Sequence, residues 1–179
     1  MTWTSPKTWG SEILTSSDMN TYIRDNELYL YGVAQGTTFS AVQLRRAANQ
    51  SITNATETPI SFDTENLDFG GWYSSGTNVV TPAGAIPSGY TTVGVLLVGS
   101  IKYATNATGQ RKVILQKNGT EINSLIASGL SGDVTIVQMT EITTVASGDT
   151  LTLLAYQSSG GSLNVTEARY SVLRVGPAT

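Results

Sequence analysis

The residues best equipped for acid–base chemistry in this chain are carboxylates. Asp63, Glu65 and Asp68 lie close together in a segment that reads as a loop. Two carboxyl groups at a suitable separation can hydrolyse a glycosidic bond. Their oxygens could also ligate Ca2+, but they lack the tight alternating spacing of a dedicated calcium loop. The competing reading is structural: Asp63, Glu65, Asn66 and Asp68 satisfy turn amides and shape the loop, and the pattern favours it. The chain has no histidine and no cysteine. The usual general base near neutral pH, the usual zinc ligand, thiolate ligation and disulfides are therefore missing, and no serine has a histidine to activate it. A non-enzymatic chain with no cofactor and no metal is expected.

Aromatic residues offer binding instead of chemistry. Trp72 and Tyr73 follow Phe69-Gly70-Gly71 in a segment bounded by glycines. Exposed, such rings would form a platform for a sugar or a partner surface, because a rigid ring supplies much contact area at little entropic cost. Alternatively, Trp72 plugs the end of the domain or a symmetry axis.

The rest of the composition narrows the class. There are 179 residues, with 10 Lys+Arg against 13 Asp+Glu, a net charge of -3. The basic residues are scattered, so no nucleic-acid stripe is present. Only 13% of residues are charged, against about 25% in ordinary soluble domains. Such a surface is neutral and polar, or is partly covered by partners. The opening residues have no apolar core, so no signal peptide is expected. The most apolar run, 93–98, is far shorter than the ~20 residues that span a bilayer. Synthesis in a cytoplasm without membrane insertion follows as the expectation.

Two parts are expected along the chain, 1–36 and 37–179. The first opens on an extended arm carrying Trp3 and Trp9. Thr15-Ser16-Ser17-Asp18 fits a capping box with Asp in place of Glu. A helix over 16–31 should follow, with Met19, Tyr22, Ile23, Asn26 and Leu30 on one stripe and Gly32 as its stop. At 1.5 Å per residue it would be ~24 Å long and marginal alone. The second part alternates with period two, and eight to ten strands with short connections predict a β-sandwich. Its expected strands include 42–45, 58–63, 90–103, 111–116, 134–144, 150–157 and 168–175. Asn118-Gly119 is a hairpin turn, Ser147-Gly148-Asp149 another turn, and 158–162 a flexible polar tip. Several strands are apolar on both faces: Val93, Val95 and Leu97 oppose Leu96 and Val98, and Leu151 and Leu153 oppose Leu154 and Tyr156. One sandwich core covers one face of each sheet, so a neighbouring copy is the simplest cover for the other.

Four short motifs match in order and spacing over 37–175. Pro87-Ser88-Gly89-Tyr90, Lys117-Asn118-Gly119, Gly148-Asp149-Thr150-Leu151 and the last strand from Tyr170 to Val175 resemble those of the tumour-necrosis-factor and complement globular-head jelly rolls. The resemblance implies a jelly-roll sandwich that assembles as a tight homotrimer. The first part resembles a leader of small bacteriophage virion proteins. Its pattern is carried by Trp9, Gly10, Leu14, Thr15, Asp18, Asn20, Arg24, Asp25 and Asn26. That leader precedes variable β-rich heads on tail fibres, minor tail proteins and head fibres. It implies that Trp3, Trp9, Met19, Tyr22, Ile23, Arg24, Asp25 and Asn26 anchor the chain to other virion proteins of the capsid or tail. With no shaft between leader and head, a short capsid-decoration or head-fibre knob is expected. A tail-associated protein binding the host surface is the alternative, and a glycan-cleaving enzyme a remote one.

Overall fold

The computed structural model describes residues 15–19, 23, 40–74, 76–86 and 89–177. The chain divides into two units, 1–39 and 40–179. In the first unit the capping box is formed. The Thr15 hydroxyl accepts from the Asp18 amide at 3.2 Å, and Asp18 Oδ2 accepts from the Thr15 amide at 3.1 Å. It opens the short helix α1, Ser16–Asp18. Of the expected stripe, Met19 and Ile23 are both exposed. Trp3, Trp9, Tyr22, Arg24, Asp25, Asn26 and the remainder of the expected helix lie outside the described residues.

The second unit is a two-layer antiparallel sandwich. Among the described residues it has eleven strands, the excess over the expected number being pieces of two or three residues. They are β1 (Ala41–Arg46), β2 (Gln50–Ile52), β3 (Thr58–Pro59), β4 (Thr64–Phe69), β5 (Asn78–Val80), β6 (Thr92–Tyr103), β7 (Gln110–Lys117), β8 (Thr120–Ser128), β9 (Thr135–Ala146), β10 (Thr150–Gln157) and β11 (Leu163–Pro177). The first sheet runs β4-β1-β11-β6-β9, with β2 also pairing β11; the second runs β3-β10-β7-β8, with β5 also on β10. Long strands from distant parts of the sequence thus lie side by side at the centre of each sheet.

Strand β6 states the design most clearly. Val93, Val95, Leu97, Gly99, Ile101 and Tyr103 are buried while the residues between them are half-buried, the period of two that a strand between a core and an outer face requires. These side chains meet Val113, Leu115, Leu151, Leu153 and Ala155 of the second sheet in one core. Gly99 faces the second sheet at close quarters: a Cβ there would lie 2.6 Å from Leu153 Cδ1. Asn118 and Gly119 both take positive φ, 52° and 78°, as a tight hairpin turn twisted to match its strands demands.

Two expectations need correction. The segment 58–63 is not one strand. It pairs with β10 through β3, then crosses over, and the Asp63 amide donates to the Arg45 carbonyl of the other sheet at 3.1 Å. The polar tip 158–162 is held rather than loose. Buried Gln157 donates to the carbonyls of Ile52 and Gly161 at 3.0 and 2.8 Å and accepts from the Ser159 amide at 2.7 Å. The amide of Gly160 donates to Asn54 Oδ1 at 2.8 Å.

Candidate functional site

The carboxylates fall on an edge strand and its entrance, not in a loop, and two of the three are consumed by the fold. Asp63 accepts from the amides of Ala47 at 3.0 and 3.1 Å and of Ala48 at 2.9 Å, and from the Thr64 hydroxyl at 2.9 Å. Those amides, with Arg46 at 3.7 Å, pull its pKa from 3.8 to about 2. A carboxyl so acidic is a poor proton donor near neutral pH. Asp68 accepts from the amides of Gly71, Trp72 and Tyr73 at 3.0, 2.9 and 2.9 Å, which folds the Gly70-Gly71 corner around its carboxylate. Glu65 is exposed. No group of three or more potential metal ligands converges among the described residues.

Trp72 is not an exposed platform. It is 1% exposed, belongs to the main core, and donates its indole N–H to Ser40 Oγ at 2.7 Å. Tyr73 is half-buried against the same core, its hydroxyl donating to the Gly76 carbonyl at 2.7 Å. The ring joins the core because the Asp68 turn aims it inward and Ser40 satisfies its one polar atom. Neither sequence type nor spacing distinguishes that outcome from an exposed ring.

Other unusual groups are also structural. Arg111 is fully buried and forms no salt bridge among the described residues. It donates to the carbonyls of Thr108, Gln110 and Asn106 at 2.9–3.0 Å, and burial lowers its pKa. It ties down the turn between β6 and β7. Tyr170 stacks on Phe62 with ring centroids 6.1 Å apart, and burial pushes its pKa up.

What the surface does offer is the outer face of the first sheet, which no motif announced. Following Cα partners, one row reads Phe69, Ala41, Leu173, Leu96, Ile142, apolar on all five strands. Ile142 is 66% exposed, and Val175 beyond the row is 52% exposed. Two rows away the partners are Arg45, Arg169, Ser100 and Gln138. Here Arg169, Ser100 and Gln138, with Gln43, Val98, Lys102, Ile136, Glu167 and Ser171, line an open cleft of about 450 Å³, and Arg45 stands outside that lining, against Glu167. Glu167 Oε1 accepts from Arg45 Nε at 3.1 Å and Arg169 Nε at 2.9 Å, and these cations, Arg169 first, hold its pKa below the usual carboxylate value. One face thus has an apolar half and a polar, cationic half. Leu125 and Ile126 of the edge strand β8, and Leu130 beyond it, are also about half exposed.

No protein-family model and no curated protein matches the sequence. Solved structures do. The globular domain of zebrafish complement 1qA protein matches over 78% of this chain and 99% of its own, with 12% identity and a TM-score of 0.54. Murine APRIL at pH 8.0 matches over 76% and 99%, with 14% identity and a TM-score of 0.57. Eiger TNF from S. frugiperda matches over 79% and 95%, with 11% identity and a TM-score of 0.52. At such identities the likeness is one of fold, and the expected jelly-roll sandwich is the fold this chain has.

Proposed function

We propose that this chain is a non-enzymatic structural protein of a bacteriophage particle, a homotrimeric capsid-decoration or head-fibre knob carried by its N-terminal leader. The observation that carries the self-association is the apolar row across the outer face of the first sheet, in which Phe69 and Ile142 are exposed, Leu173 and Leu96 half-buried and Ala41 buried, with exposed Val175 beyond it. Monomeric proteins rarely leave contiguous apolar surface of this kind uncovered. Exposed Leu125, Ile126 and Leu130, on and just beyond the edge strand β8 of the second sheet, supply a different surface for the contact. Two unlike patches on one subunit favour a head-to-tail contact that closes into a ring, the arrangement a trimer uses. The particle reading rests on the leader pattern, of which Thr15 and Asp18 form the capping box that starts α1.

Two observations weigh against the competing readings. The carboxylates needed for glycan cleavage are occupied by backbone amides, which supports a non-enzymatic chain. Trp72, the residue that most favoured a tail-borne host-binding loop, is inside the core.

Two measurements test the proposal. Light scattering on purified protein should give three times the chain mass. The double variant Leu96→Glu, Ile142→Glu should lower that mass while retaining the far-ultraviolet spectrum of a folded sandwich. A monomeric wild type, or a variant that stays trimeric, removes the interface. Immunogold labelling of intact particles should place the head over the capsid. Label at the tail tip would transfer the protein to host attachment, and particles without label would remove the virion role.

A further inference from the structure

The polar half of the outer face has a construction the trimer does not require. Arg45 and Arg169 are Cα partners on β1 and β11, so their guanidinium groups stand beside one another. Both donate through Nε to the same oxygen of Glu167. That leaves the Nη atoms of both arginines without a hydrogen-bond partner among the described residues, held side by side by one carboxylate. Lys102, the Cα partner of Glu167, adds a third cation. Three cations against one carboxylate make this cleft positive on a chain whose net charge is -3. A guanidinium fork recognises planar carboxylates in bidentate fashion.

Beside the arginines, the same row continues into Ser100 and Gln138, and the next holds Gln43 and Ser171. These neutral hydroxyls and amides can both donate and accept, the pairing that vicinal sugar hydroxyls need. That second row continues into half-buried Val98, an apolar contact for the C–H face of a pyranose ring. The volume, about 450 Å³, falls within the ~300–1,000 Å³ of ordinary ligand sites. The dimensions suit one or two sugar residues.

We propose that this cleft binds a saccharide bearing a carboxylate, a uronic-acid unit of an acidic polysaccharide. The acid group sits on Arg169, which Glu167 holds beside Arg45, with Lys102 as the second cation of the lining, and the ring hydroxyls sit on Ser100, Gln138 and Gln43. Binding needs no chemistry from the protein. It is independent of whether the chain sits on capsid or tail, and it requires only that the assembled protein leave this half of the face open.

The test uses the full-length protein in its native assembly, with its mass checked by light scattering. Titration calorimetry is run with trigalacturonate, with the neutral galactose trisaccharide and with inorganic phosphate. The expected result is saturable binding of trigalacturonate that weakens with added salt, with the neutral trisaccharide at least about tenfold weaker. Arg169→Gln and Lys102→Gln should each reduce trigalacturonate affinity about tenfold. Both alter half-buried or exposed surface positions, so folding and mass should be unchanged. Ser100→Ala should weaken trigalacturonate severalfold and leave phosphate untouched. Equal binding of phosphate and trigalacturonate would reduce the cleft to a general anion site and overturn the proposal. So would equal binding of the neutral sugar, insensitivity to the arginine change, or no binding by a protein of intact mass. None of those outcomes bears on the trimer, whose failure is read from the mass.

Discussion

Asp63 provides the sharpest quantitative check on how this fold is held together. It stands where the chain leaves the second sheet for the first, and its carboxylate gathers two successive backbone amides, a hydroxyl and a nearby arginine. Its folded pKa, about 2, lies below the ordinary 3.8. The stabilisation is therefore fully present above the unfolded value and is lost as the pH falls through the folded one. At ~1.4 kcal/mol per unit, the shift corresponds to at most about 2.4 kcal/mol. The side chain keeps 28% of its exposure, and solvent screening reduces the figure to about 1–2 kcal/mol. Asp63→Asn keeps the shape but carries no charge and has one acceptor oxygen in place of two. It should be less stable than wild type by about that amount at neutral pH, and the gap should close between about pH 5 and 2 as the wild-type carboxylate protonates. Urea unfolding followed by circular dichroism, at one fixed protein concentration because association contributes to stability, measures the gap directly. Other titrating groups act on both proteins and cancel in the difference. A gap that stays constant down to about pH 2.5, or no gap at neutral pH, would refute the assignment of Asp63 as the clamp at this crossover.

Two further substitutions probe the core. Gly99→Ala places a methyl 2.6 Å from Leu153 Cδ1 and 3.3 Å from Leu115 Cδ2; it should cost about 1–3 kcal/mol and lower Tm by about 3–10 °C in differential scanning calorimetry. An unchanged Tm would mean the sheets can separate at that point. Trp72→Phe removes the donor to Ser40, whose hydroxyl is itself buried, and should cost about 1–3 kcal/mol without changing trigalacturonate affinity. Retained stability with lost sugar binding would return the ring to the surface as a contact.

Much of the sandwich was legible because its signals are local. The period-two burial of β6, the positive-φ pair at Asn118-Gly119 and the Ser147-Gly148-Asp149 turn depend on a few neighbouring residues, and each sits where the pattern put it. The Thr15–Asp18 box is equally local and is formed. The points the sequence left open, and the tip it misread, share the opposite property. Whether Asp63 and Asp68 are chemical or structural depends on which amides fold around them, and those of Ala47 and Ala48 come from a different strand end. Whether Trp72 faces out depends on Ser40, thirty-two positions earlier. The tip 158–162 looked loose because small polar residues signal mobility, yet it is fastened by Gln157 and by distant Asn54.

The cleft was out of reach for the same reason, and it changes where function should be sought. Arg45, Ser100, Gln138 and Arg169 are individually unremarkable, each a polar residue on an alternating strand. Register alone brings them into a row, across a sheet whose central pairing joins the last strand to β1 and β6. A reading that looks for function in loops starts from Trp72, since binding residues do concentrate on loops. Here the long loop has been spent on closing the sandwich, with its carboxylate and its ring both used internally. The groups left with unused donors stand on the rigid face of a sheet. Such a placement holds the two guanidinium groups at a spacing fixed by strand pairing, so less ordering is required on binding than a loop would need. It also ties recognition to assembly, because the apolar row that a second copy would cover lies two rows from the arginines. A change that shifts the packing of neighbouring copies should therefore alter access to the cleft before it alters the fold.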